Sequence, residues 1–150
     1  MDIDPALPWR DIADSGFHSQ IGPVRFARSG EAAWQAALAL DARHMNRGGV
    51  CHGGVLLTLA DIAMGAASFA AGGDRPCATI QLDSQFVAAA KEGQTLVAFA
   101  RQLRAVRELS FMECEVHAGG RLVLSASGIW KYLSRGADPE LRVRQVQGPA

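Results

Sequence analysis

Cysteine is scarce in this chain and unpaired in pattern: Cys51, Cys77 and Cys114 are far apart, and no two form a C-x-x-C. An odd count without close spacing argues against a disulfide framework and against a zinc ribbon, so the three read as reduced thiols and no metal site is expected. An excess of one charge is also missing, since 15 Lys and Arg balance 15 Asp and Glu. With no basic field to hold a phosphate backbone, nucleic acid is not an expected partner. The first residues, Met1-Asp2-Ile3-Asp4-Pro5, are acidic and lack a following apolar run. That excludes a recognisable secretory signal, and the cytoplasm is the expected location. Internal repeats and low-complexity tracts are absent as well.

What the chain does have is material for a core. An apolar share of 49% over 150 residues suffices for one domain and is too little for two. Residues 1–16, with Pro5, Pro8, Trp9 and Gly16, read as an arm or one short helix, residues 17–133 as the domain, and residues 134–150 as a polar tail. Two apolar runs, 21–28 and 31–40, flank the turn signal Ser29-Gly30 and predict a hairpin, with a helix as the rival for the alanine-rich second run. Residues 41–51 are polar and glycine-containing, as in a functional loop.

Gly53-Gly54 opens an apolar segment from Val55 to Ala71, closed by Gly72-Gly73 and then Pro76, which predicts one helix. Asp61 is its only strongly polar group, so the helix is expected to be buried all round. A membrane span is rejected because the run is short and alanine-rich, and a carboxylate near its middle costs about 2.5–3.5 kcal/mol to insert. Beyond the helix the periodicity drops to two. Thr79–Phe86, Thr95–Val106, Phe111–Ala118 and Leu122–Tyr132 read as half-buried strands in an antiparallel meander. The fold class is α+β, a sheet curled around a helix. One sheet cannot cover a helix that is apolar on every side, and a second copy of the chain is the simplest cover, so at least a homodimer is expected.

Asp61 is the strongest chemical clue, because a lone carboxylate among Ala, Leu, Val, Ile and Met is costly to desolvate. Either a basic partner or catalysis would account for it. His52-Gly53-Gly54 stands where loop becomes helix and offers unobstructed backbone N–H groups at the positive end of the helix dipole. Asn46 precedes it by six residues, and Thr79 lies in the next strand.

This set, Asn46, His52-Gly53-Gly54, Asp61 and Thr79, resembles the motif of the hotdog-fold acyl-CoA thioesterases of the phenylacetate-degradation (PaaI-like) type, over about residues 41–132. The resemblance implies an antiparallel sheet around one long helix, with two chains sharing two active sites and a dimer of dimers as the fuller assembly. It implies that the Gly53 N–H binds the thioester carbonyl, that His52 and Asn46 fix the loop and hold carbonyl or water, and that Asp61 is general base or nucleophile. Thr79 would orient Asp61 and the water, although simple alternation sets it on the face opposite Ile80 and Leu82. Gly54, Arg104 and Arg107 are the candidate substrate-binding residues, the arginines for CoA phosphates. Met64, Phe69 and Phe86 are candidates for the acyl pocket, and no cofactor is implied. The helix geometry adds a separate argument, since Gly53 and Asp61 lie about 12 Å apart along one helix and cannot serve one carbonyl unless they come from two chains.

Other chemistries fit less well. Cys51-His52 suggests a thiol hydrolase without an orienting Asn or Asp. An α/β-hydrolase would need a G-x-S-x-G. A hotdog hydratase or dehydratase would leave Asp61 idle, and a binder of acyl-CoA without turnover would gain nothing from it.

Overall fold

The computed structural model describes residues 3–12 and 16–134. The chain runs β1 (Arg10–Asp11), α1 (His18–Ile21), β2 (Arg25–Arg28), β3 (Ala33–Ala39), a 3-10 turn (Ala42–His44), α2 (Gly53–Ala71), β4 (Cys77–Phe86), β5 (Thr95–Ala105), β6 (Leu109–Ala118) and β7 (Arg121–Tyr132). All seven strands form one antiparallel sheet in the order β1-β2-β3-β5-β6-β7-β4, curled around α2 in the hotdog arrangement.

The alanine-rich run is a strand and not a helix. Trp34, Ala36 and Leu38 point to the core opposite Ala100, Ala98 and Leu96, and the small side chains leave room for α2 to pack closely. The arm also contributes a strand, since Arg10 and Asp11 pair with Phe26 and Arg25 at the sheet edge. Ile21, read as the start of a strand, instead ends α1, and Gly22-Pro23 separates it from β2. The candidate tail from residue 135 onward lies outside the described residues.

One expectation needs correction. The meander comprises β5, β6 and β7 only; β4 crosses to the far edge and pairs with β7, because α2 has carried the chain over the sheet before β4 begins. Within one chain the sheet covers only part of the helix, as a helix apolar on every side requires. Leu56, Leu59, Ala60, Ile62, Ala63, Met64, Ala67 and Ser68 are buried against the sheet, whereas Gly54, Thr58, Asp61, Gly65 and Phe69, spaced three or four residues apart, form a stripe that the chain leaves only partly covered. The other end of α2 is closed by Tyr132, whose hydroxyl donates to the Ser68 carbonyl at 3.1 Å and whose ring fills the space beside Gly72.

Candidate active site

The loop before α2 is built from its own polar groups. Asn46 Oδ1 accepts from the backbone N–H of Gly48 (2.8 Å) and Val50 (3.3 Å), folding the loop into a tight turn that brings Met45 and Cys51 into a β-bridge. Two further bonds fix its exit: Cys51 N–H donates to the Ala90 carbonyl and His52 N–H to the His44 carbonyl, both at 2.8 Å. His44 is itself 2% exposed. Its Nδ1 accepts from the Asp41 N–H at 2.9 Å, which leaves Nε2 as the protonated nitrogen donating to the Ile21 carbonyl at 2.7 Å.

His52 is the N-cap of α2, with Nδ1 accepting from the Gly54 N–H at 2.9 Å. Gly54 is thereby occupied as a donor. Gly53, the first residue of the helix, has no acceptor one turn back, and among the described residues nothing accepts from its N–H. That leaves one free donor at the positive end of the helix dipole. A side chain at Gly53 would meet the ring of Phe86 at 3.0 Å, so glycine lets the aromatic ring lie against this donor.

Two turns further on, Asp61 lies half-buried on the partly covered stripe. Thr79 Oγ1 donates to Asp61 Oδ1 at 2.7 Å. Among the described residues no arginine or lysine pairs with the carboxylate, so neutralisation by a basic partner does not explain it. Thr79 reaches Asp61 because β4 carries a bulge. Thr79 pairs with Trp130 and Gln81 with Ile129, leaving Ile80 as the extra residue, so Thr79 and Leu82 share the face towards α2. This corrects the alternation argument, which set them on opposite faces.

The cysteines are poor nucleophiles. Burial pushes the Cys51 thiol up to about 11, which leaves almost no thiolate at neutral pH. Cys77 is raised to about 11 by burial and then by the charge of Asp61, and Cys114 to about 12 by burial and the charge of Glu115. Among the described residues no three His, Cys, Asp or Glu side chains gather to hold a metal ion.

One chain thus brings Asp61 to Thr79, and Asn46, His52 and Gly53 into one loop, but keeps the two groups about 12 Å apart along the helix. Arg107 is more remote. Its carbonyl accepts from Arg75, which stacks on the Tyr132 ring at the C-terminal end of α2, about 27 Å from Gly53 along the axis. Arg104 lies on the same end of β5. Met64 is 0% exposed in the core and cannot line an open pocket, while Phe86 stands beside Gly53. A cavity of ≈250 Å³ adjoins Asp61, with Leu57, Thr58, Ile62 and Leu82 in its wall. A recess of ≈460 Å³ around Phe99, Arg101 and Glu113 contains none of the candidate residues. Sequence reasoning missed His44 as the anchor of the loop; its capping-box spacing from Asp41 was the available signal.

One antiparallel seven-stranded sheet curled around a single long helix is the architecture of the hotdog class of thioester hydrolases. The sequence comparisons agree: the thioesterase superfamily model matches residues 48–125, and the chain belongs to that superfamily. A Pseudomonas aeruginosa protein named as a candidate esterase, PA0474, is 34% identical over 111 residues, 73% of this chain and 83% of its own. The conserved protein PA5202 of the same organism has a TM-score of 0.73 and 32% identity, covering 79% of this chain and 94% of its own. A point mutant of the phenylacetic acid degradation protein PaaI from Thermus thermophilus has a TM-score of 0.70 and 25% identity, covering 78% of this chain and 98% of its own.

Proposed function

We propose that the protein hydrolyses acyl-CoA thioesters at composite sites, each using Asp61 of one subunit and the Gly53 N–H of a second. The observation that carries this reading is the free Gly53 donor at the start of α2 and the Thr79-bound Asp61 two turns along it, too far apart to meet within one chain. The free edge of β4 supports it, since antiparallel self-pairing there would set two α2 helices side by side in opposite directions.

In the reaction, the thioester carbonyl oxygen accepts from Gly53 N–H, and Asp61 removes a proton from a water that attacks the carbonyl carbon. The negative charge passes to the carbonyl oxygen, where the N–H and the helix dipole stabilise it. Collapse breaks the C–S bond, and the thiolate of CoA takes up the proton held by Asp61. Asn46 and His52 keep the donor in place, and Thr79 keeps one carboxylate oxygen turned towards the sheet so that the other faces the water. Arg104 and Arg107 remain candidates for CoA phosphates supplied across the assembly, and the assembly itself is a homodimer or a dimer of dimers. We assign it to the cytoplasm.

CoA release from a panel of acyl-CoA thioesters, followed with a thiol reagent, tests the activity. A single turnover in ¹⁸O-water separates the two roles of Asp61: label in the carboxylate after turnover means direct attack, and label in the product acid alone means general base. A binder without turnover would hold acyl-CoA as well after Asp61→Asn as before and release no CoA in either form.

A further inference from the structure

α1 has no role in the mechanism above. It lies between two glycines with left-handed backbones, Gly16 (φ 63°) and Gly22 (φ 93°), and presents Phe17 at its start. Phe17 is 66% exposed, more than any other large apolar side chain among the described residues. Its ring and His18 form one wall of the ≈250 Å³ cavity whose other walls hold Asp61, Leu57 and Leu82. An aromatic ring left in water beside an apolar cavity gains by closing on an apolar occupant. The segment is also anchored: Ile21 is buried, and its carbonyl accepts from His44, the residue whose own carbonyl holds His52. One histidine therefore ties the Phe17 segment to the loop that presents Gly53.

We propose that Phe17 is the specificity-determining residue of the thioesterase site, closing over the acyl group of a thioester whose carbonyl lies at Asp61. This rests on the role given to Asp61 above. The space that one chain offers is smaller than the ~300–1,000 Å³ of clefts that take drug-sized ligands, which favours a single ring or a short chain over a long fatty acyl group. No lysine or arginine lines it, and apart from His18, Thr58 and Asp61 its walls are apolar, which favours an uncharged acyl group.

The test compares wild type, Phe17→Ala and Phe17→Leu with acetyl-, hexanoyl-, benzoyl- and palmitoyl-CoA. It also measures the affinities of the non-hydrolysable thioethers S-methyl-CoA and S-hexyl-CoA. The expected result is that Phe17→Ala lowers the preference for hexanoyl over acetyl in kcat/KM by about tenfold or more, the range of a lost apolar contact. It should lower the preference for S-hexyl-CoA over S-methyl-CoA by a similar factor, and Phe17→Leu should recover part of each. Unchanged preferences, or palmitoyl-CoA as the best wild-type substrate, would overturn the proposal. If Asp61→Asn abolishes turnover while Phe17→Ala shifts neither preference, the role of Phe17 falls alone. If the wild type cleaves no thioester but Phe17→Ala still weakens S-hexyl-CoA selectively, the hydrolytic reading falls and the pocket stands.

Discussion

Thr79 donates a 2.7 Å hydrogen bond to Asp61 across the gap between sheet and helix, and it does so only because Ile80 bulges out of register. A hydrogen bond to a charged group contributes about 1.5–3 kcal/mol, so this contact is strong enough to set the orientation of the carboxylate. Thr79→Ala should lower kcat/KM by about 10- to 100-fold with an unchanged fold, and Thr79→Ser should restore most of the loss. Full activity in Thr79→Ala would remove the hydroxyl from the site.

Asp61→Asn keeps the volume and removes the charge. Loss of general-base help is expected to cost at least about 10²-fold in kcat while thioether binding persists. Retention of more than about a tenth of kcat would take Asp61 out of the mechanism.

Gly53→Val keeps the N–H but brings a branched side chain against Phe86, a contact already at 3.0 Å for a bare Cβ. Turnover should fall by up to about 10³-fold, the upper value of one oxyanion donor, with a folded chain by circular dichroism. Mixing this variant with Asp61→Asn under subunit exchange should restore roughly a quarter of wild-type activity. About half the dimers would then be hybrids, each with one intact site of two. A mixture that stays dead after verified exchange would assign both groups to one chain.

Cys51 should be silent. With its thiol pushed up to about 11, the thiolate fraction at pH 8 is on the order of 10⁻³, well below that of a free cysteine. Alkylation by iodoacetamide at pH 8, followed by mass spectrometry, should be slow at Cys51 and accelerate as pH rises towards 11. Cys51→Ser should hydrolyse at a rate near wild type; a dead Cys51→Ser would revive a thiol mechanism.

The helix, its two ends and most strands were legible because Gly53-Gly54, Gly72-Gly73-Pro76 and the period-two patterns each act over a few residues. The place of β4 was not, because strand order depends on contacts between distant segments, and Cys77–Phe86 reads the same beside β5 or beside β7. The bulge at Ile80 escaped for a related reason: nothing in Thr79-Ile80-Gln81-Leu82 announces an extra residue, and strict counting assigns Thr79 the wrong face. His44 was missed because its value lies in a carbonyl 23 residues away, at Ile21. Asp61 stood out for the opposite reason: a charge in an apolar helix is visible without any knowledge of its neighbours.

The bulge also bears on aggregation. β4 is a ten-residue edge strand that ends in exposed Phe86 and runs on into exposed Val87, the kind of template on which unrelated extended chains stack. An extra residue at Ile80 bends and twists that edge, so a straight, unbulged strand cannot zip along its full length. The same irregularity that turns a threonine towards the acid therefore works as a gatekeeper, leaving the edge open to a strand of matching curvature and closed to amyloid-like growth.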